Sequence, residues 1–274
     1  MSDVRELKIY VDNSIRDYLN GIKSEMSSEL YEAVYYASAE RGKRLRPILM
    51  LLSGEAMRMP KERFINLAMA LEFIHSYSLV HDDLPAMDDD DERSGRPTVH
   101  VKYGEATAIL VGDTLLNLAY QLMIDSIIKD PMLIGAVKYI ADSAGFKGMI
   151  GGQVMDMDPK NLHSGNIVEM YLRKTGALIS AAVLSPLFVA GATEKTFEAF
   201  GMFSSNLGIA FQLADDLSDI QDGRYSYKTT FSSLYGVPET VKRLGQYKNS
   251  LAHCFDDCDC DSSAIVQYAE SLLS

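Results

Sequence analysis

Along most of this chain apolar residues recur at intervals of three and four, and the period-two alternation of a half-buried strand is nearly absent. Leu67, Leu71, Ile74, Ser78 and His81 fall on one helical face, and Leu110, Leu115, Leu118 and Leu122 follow a similar spacing between Gly104 and Pro131. Further helices are expected over Asp3–Leu19, Glu29–Ala39, Leu45–Met57, Met132–Phe146, Ile167–Leu172, Glu194–Ile220, Pro238–Phe255 and Ser263–Leu273, with Thr193 and Asp261 as N-caps. The pattern restricts the chain to the all-α class. With 274 residues, 47% of them hydrophobic, 8 prolines and no Gly/Ser-rich linker, residues 1–274 read as a single-domain helical bundle with a continuous core. No repeat of roughly 20–50 residues is present.

A formal net charge of −12 argues against nucleic-acid binding, which needs a basic stripe. Met1–Ser14 is polar and lacks the apolar core of a secretory signal. The longest nearly uncharged run, Ala177–Ala192, is broken by Ser180, Ser185 and Pro186; it is too short for a membrane anchor and reads as a buried helix with a kink or break. Three cysteines, Cys254, Cys258 and Cys260, share one acidic patch. An odd number so placed is no disulfide framework, and a metal site there lacks further ligands, so a reduced surface cluster in a cytoplasmic protein is expected.

The chemistry is concentrated in two aspartate clusters. Seven acids lie among the eleven residues from Asp82 to Glu92, directly after an apolar helix. Most acidic runs are solvated loops. Here, however, Asp82 and Asp83 end a helix whose last turns, Leu79 and Val80, are apolar, and Pro85 then breaks the chain so that Asp88 can return towards Asp82. Crowded carboxylates repel one another and call for cations. A second cluster, Asp215, Asp216 and Asp219, again follows an apolar segment, with Asp215 and Asp219 on one helix face. Hard oxygen donors in this number suit Mg²⁺, which is held by a few carboxylates together with substrate phosphates.

Basic residues complete the constellation. Gly42-Lys43-Arg44-Leu45-Arg46-Pro47 stands at a helix start, where exposed N–H groups favour anions, and Lys43 and Arg46 lie on the same side. Lys174-Thr175-Gly176 combines a charge, a hydroxyl and an expected helix break. Beside the aspartate clusters these point to two anionic substrates, one gripped through metal and one directly by cations.

The segment from Phe73 to Asp88 closely resembles the first aspartate-rich motif of bacterial farnesyl and geranyl diphosphate synthases, members of the trans-prenyltransferase (polyprenyl synthetase) family. Gly42–Pro47, Gly95–Thr98, Gly112-Asp113, Gly151-Gly152-Gln153 with Asp156, Lys174-Thr175-Gly176, and Phe211-Gln212 with Asp215–Asp219 match in the same order, over roughly residues 40–236. The resemblance implies the all-α isoprenoid-synthase bundle with a central cavity between the two motifs, and a homodimer. It implies three Mg²⁺ held by Asp82, Asp83 and Asp88 from one motif and Asp215, Asp216 and Asp219 from the other. Arg93, Lys174, Thr175, Gln212 and Lys228 would hold the allylic diphosphate, and Lys43, Arg46 and His75 would hold isopentenyl diphosphate. Tyr77, five residues before Asp82, matches the position where an aromatic side chain stops chain growth, with small Ser78 beside it, which implies a C15 product.

Two departures fall on phosphate-binding positions. Ser94 stands where the family places a second arginine that contacts isopentenyl diphosphate, and loss of such a charge-assisted contact is not neutral. The stretch Ile220–Tyr227 before Lys228 is short and lacks a Gly-Lys element, for which Arg224 is a possible substitute. Two further readings therefore stand beside the synthase: a terpene-synthase-like enzyme that ionises an allylic diphosphate alone, and a non-catalytic subunit that binds one.

Overall fold

The computed structural model describes residues 3–40, 42–158, 160–221 and 229–273, whose regular structure is helical apart from one short β-hairpin. They form two compact units, one of residues 2–51 and 61–132 and one of residues 52–60 and 133–274.

In the first unit, α1 (Val4–Gly21) starts at Asp3, whose carboxylate accepts the Arg5 N–H, and buries Leu7, Val11, Ile15 and Leu19 at four-residue steps. Helix α2 (Ser28–Ser38) is capped by Ser27 in the same way. Helix α3 (Leu45–Ala56) begins in this unit and ends in the other. Helix α4 (Ile65–Asp82) is apolar on every side; Leu67 through Ile74 are all buried, as expected of a helix in the middle of a core. After it come the two-residue strands β1 (Glu92–Arg93) and β2 (Arg96–Pro97), antiparallel with Arg93 opposite Arg96, then α5 (Val99–Tyr103) and the long α6 (Glu105–Lys129). Helix α6 packs along α4.

The second unit contains α7 (Ile134–Ala144), α8 (Met149–Asp156), α9 (Ile167–Tyr171), α10 (Ala177–Ala190), α11 (Glu194–Gln221), α12 (Phe231–Tyr235), α13 (Val237–His253) and α14 (Ser263–Leu272). Thr193 accepts the Thr196 N–H, so that expected cap forms; at α14 the capping position is Ser262, whose side chain makes no capping bond, and Asp261, one residue earlier, accepts the Ser263 N–H instead. Helix α10 lies between α7 and α11, and α11 also packs on α13. Its core includes Ile167, Met170, Tyr171, Ile209, Leu213 and Phe231.

Two expectations change. Gly176 does not break the chain's helical course: a π-helical turn, Leu172–Gly176, joins α9 to α10, so one helical run extends from Ile167 to Ala190. Burial of the flanking turns overrides the weak helix propensity of glycine, and Pro186 is likewise accommodated within α10. That run and α6 are long and apolar enough to cross a membrane, but most of the Ile167–Ala190 run is buried, as a core helix is. The three thiols are free, as expected of a reduced cluster, and half-buried, with Cys258 Sγ 3.0 Å from Cys260 Sγ.

Candidate active site

The end of α4 is fixed by its neighbour. His81 Nε2 lies 3.1 Å from the Ile109 carbonyl of α6 and donates to it. A Cβ on Gly112 would lie 2.0 Å from that same Nε2, so glycine leaves room for the ring in this position. This accounts physically for the Gly112-Asp113 motif: it seats the residue before Asp82. Beyond the helix the Pro85 turn doubles back, and the Asp88 N–H donates to the Asp82 carbonyl at 2.8 Å. The return expected from Pro85 is thus present.

Asp83 is buried, and burial pushes its carboxyl above the ordinary value even though Arg93 opposes the effect. Arg93 Nε donates to Asp83 Oδ1 at 2.7 Å, and its Nη2 reaches Asp90 at 3.3 Å. The hairpin that presents Arg93 turns through Ser94 (φ +53°) and Gly95 (φ +75°), as a two-residue reversal requires. Arg96 pairs with Glu40 and lies 3.9 Å over the Tyr36 ring.

The basic residues expected for the second substrate gather in the same unit. Lys43 is exposed and Arg46 half-buried. Burial lowers the Arg46 guanidinium to about 10, against the opposing pull of Glu72, so it remains charged at neutral pH; its Nε is buried and has no partner. His75 is held well below its ordinary value by burial and then by Arg46, Arg93 and Arg44, which leaves its imidazole neutral among cations. Tyr77 is buried one and a half turns before the end of α4, edge-on to His81, with its hydroxyl pushed up to about 12 by burial. The Ser78 hydroxyl donates back to the His75 carbonyl.

In the second unit the three motif aspartates differ sharply. Asp215 is exposed and Asp219 half-buried, on one face of α11, whereas Asp216 is buried on another. Asp216 Oδ2 accepts from the Tyr171 hydroxyl at 2.7 Å and from the Ser232 N–H at 3.3 Å, and the same hydroxyl accepts the Phe231 N–H at 2.8 Å. Burial raises Asp216 to about 6 despite these donors, with Asp215 adding to the effect. Tyr171 and the Phe231–Ser232 backbone are partners that no motif spacing announced.

The π turn presents Lys174 and Thr175. Lys174 Nζ donates to Asp156 Oδ2 at 2.6 Å, and the Thr175 hydroxyl donates to Gln212 Oε1. Helix α8 approaches so closely that a Cβ on Gly152 would lie 2.1 Å from the Lys174 amide nitrogen. Both polar side-chain atoms of the adjacent Gln153 are buried without a partner. Lys228 and Arg224, both expected near this site, lie outside the described residues.

Among the described residues no three metal-binding side chains form a preassembled cage. The donor set still fits Mg²⁺: all carboxylate, few per element, and incomplete without phosphate oxygens. Cations and carboxylates of this kind, set beside apolar helices, suit the handling of a diphosphate attached to a hydrocarbon.

Residues 27–232 match the polyprenyl synthetase family model. Over 268 residues the chain is 39% identical to the farnesyl diphosphate synthase of Escherichia coli K12, covering 90% of this chain and 89% of that protein. It is 37% identical to the geranylgeranyl diphosphate synthase of Cyanophora paradoxa, over 78% of this chain and 77% of the other. A geranyltransferase structure from Legionella pneumophila superposes with a TM-score of 0.87 at 28% identity, over 99% of this chain and 98% of that one. The chain belongs to the polyprenyl synthetase family. Within that all-α class it is a prenyltransferase of the farnesyl/geranyl diphosphate synthase type.

Proposed function

We propose that this enzyme condenses isopentenyl diphosphate with dimethylallyl and geranyl diphosphate and releases farnesyl diphosphate. The observation that carries this reading is the grouping of two cations, Lys43 and Arg46, with neutral His75, in which the Arg46 Nε is buried and unpartnered. An enzyme that only ionised an allylic diphosphate, or a subunit that only bound one, would have no use for a second desolvated anion site. The curated relatives named above, farnesyl and geranylgeranyl diphosphate synthases, support the same choice.

In this reading Asp82, Asp83, Asp88, Asp215, Asp216 and Asp219 hold three Mg²⁺, which when bound neutralise the departing diphosphate. Arg93, Lys174, Thr175, Gln212 and Lys228 bind that diphosphate directly; Lys174 exchanges Asp156 for phosphate oxygen, and Thr175 exchanges Gln212. Negative charge develops on the leaving group as the allylic C–O bond breaks, so donors fixed beforehand favour the transition state. Apolar side chains exclude water from the carbocation. Lys43, Arg46 and neutral His75 orient isopentenyl diphosphate for attack, and the proton then lost passes to the departed diphosphate.

Tyr77 sets the product length. It lies about 7.5 Å along α4 from Asp82, at 1.5 Å per residue; its ring is buried, and in this reading it closes the space a longer chain would enter. Replacing Tyr77 by alanine is expected to move the main product from C15 to C20 or beyond, read by chromatography after incubation with isopentenyl diphosphate, Mg²⁺ and each allylic starter. An unchanged C15 product would remove the floor and leave the enzyme. Consumption of the starter without elongation would replace the synthase reading with the ionising one.

Ser94 leaves one diphosphate contact unmade. Installing arginine there is expected to lower the KM for isopentenyl diphosphate about 10-fold and leave that for geranyl diphosphate unchanged. A KM for isopentenyl diphosphate that does not fall would show that the existing cations already saturate the site.

The enzyme acts as a cytoplasmic homodimer in this reading. The outer face of α6 carries Ile109, Leu110, Tyr120, Ile124 and Ile128 exposed at helical spacing, a stripe suited to a second copy of itself.

A further inference from the structure

The turn between α2 and α3 is held by a charge network that the motifs do not announce. Arg44 is only 2% exposed; its Nε donates to Asp12 Oδ1 of α1 at 2.7 Å and its Nη1 to Glu72 Oε1 of α4 at 2.8 Å. Burial opposes its charge, yet Glu72 and Asp12 together hold the guanidinium above the ordinary arginine value. The backbone here is unusual. Arg44 has φ +55°, a region non-glycine residues seldom occupy, and Gly42 two residues earlier has φ +141°. A Cβ on Gly42 would also lie 2.9 Å from Arg44 Nη1.

Strain of this kind persists only where the surroundings over-determine it, and it collects at ligand sites. Two anchors from two other helices fix the single guanidinium that closes the turn. Lys43 and Arg46 flank it. Two nitrogens here, Arg44 Nη2 in the turn and Arg46 Nε at the start of α3, are buried without a partner. Orphaned buried donors are rare, and the one on Arg46 suits an anion. Replacing a buried ion network by apolar side chains is often neutral or stabilising. Stability alone therefore gives little reason to keep this one at a strained turn.

We propose that Asp12 and Glu72 are positioning residues for isopentenyl diphosphate: through Arg44 they fix the turn from which Lys43 and Arg46 reach its diphosphate. The inference rests on the assignment of that substrate to Lys43, Arg46 and His75. Neither carboxylate touches the ligand, which would repel it. Both act by holding Arg44, and Glu72 also faces Arg46 electrostatically. Neither belongs to the aspartate-rich motifs, so the metal-dependent grip on the allylic substrate is independent of them.

The test measures isopentenyl diphosphate binding by calorimetry in EDTA, where only the direct cation site can act. Glu72→Gln is expected to weaken this binding about 30-fold, as loss of one charge-assisted contact to a buried guanidinium implies, and Asp12→Asn about 10-fold. Asp12→Glu, which keeps the charge, stays within about 3-fold of wild type. Mg²⁺-dependent binding of dimethylallyl diphosphate should change less than about 2-fold in each variant, because its contacts are elsewhere. In turnover the defect should appear in the KM for isopentenyl diphosphate and vanish at saturation. Unchanged affinity in both charge-removing variants overturns the proposal, as does parallel loss of both substrates, which would make the network merely structural. Should Glu72→Gln fail to fold, Asp12→Asn carries the test. Wild-type protein that binds no isopentenyl diphosphate without metal would sink the underlying substrate assignment, and the proposal with it.

Discussion

Replacing Gly152 by alanine is expected to cut turnover by a factor of about 100 or more and to lower the melting temperature by roughly 10 °C. The added Cβ would stand 2.1 Å from the Lys174 amide nitrogen and 2.5 Å from its Cα. Both atoms belong to backbone and cannot rotate aside as a side-chain tip would. Either α8 or the π turn must move by about 1 Å or more to restore ordinary contact. Movement of α8 carries Asp156 away from Lys174 and breaks a 2.6 Å charge-assisted bond. Movement of the π turn displaces Lys174 and Thr175 together. Overpacking of this kind costs typically about 1–3 kcal/mol and more when backbone is struck, and misplacement by about 1 Å near the reacting groups has the larger effect on rate. Circular-dichroism melting and steady-state kinetics with geranyl diphosphate check the two halves separately. Near-native turnover in the alanine variant would mean that the α8 contact does not position Lys174.

The same contact explains why glycines are embedded in a helical sequence at all. A helix-interior glycine costs about 1 kcal/mol relative to alanine, so Gly112 and Gly152 look like defects when propensity is the only guide. Each instead marks a backbone approach, to His81 in one case and Lys174 in the other. The motifs were legible as short strings, but their reason lies in contacts that cross from one element to another.

The fold class and some local geometry of the candidate site were visible in the sequence because both are periodic or local. The helix of α4, the cap at Thr193 and the return of Asp88 to Asp82 follow from spacing, side-chain chemistry and one proline. The unannounced features pair residues far apart. Arg44 lies 32 residues from Asp12 and 28 from Glu72, and Tyr171 lies 45 from Asp216. No periodicity links such positions, and an Asp on α1 or a Glu on α4 has the look of an ordinary helix residue until the fold brings it to a guanidinium. The π turn was obscured for a different reason. Lys174-Thr175-Gly176 resembles a helix stop, yet burial on both sides keeps the chain helical and widens one turn, as functional helices often do.

The second large effect concerns Asp216, where stability and function are expected to move in opposite directions. In the metal-free protein burial raises this carboxyl from 3.8 to about 6. A group raised on folding contributes stability that is fully present below its unfolded value and is lost as the pH rises through the folded one. For Asp216 that window runs from about 4 to about 6, and above it the buried charge weighs against folding. At about 1.4 kcal/mol for each tenfold change in the acid equilibrium, the cost at pH 8 is roughly 2–3 kcal/mol. Asparagine keeps an oxygen to accept from the Tyr171 hydroxyl and the Ser232 N–H, but it carries no charge to desolvate. Asp216→Asn in EDTA is therefore expected to be more stable than wild type by about 2 kcal/mol at pH 8, the gap closing towards pH 4. If Asp216 holds Mg²⁺ as proposed, the variant's turnover with Mg²⁺ should fall about 100-fold, because the amide offers the metal no charge. Urea titrations across that pH range, paired with kinetics at one pH, separate the two effects. A variant that gains stability and keeps its activity would make Asp216 an anchor for α12 alone, leaving Asp215 and Asp219 as the motif's metal-binding pair.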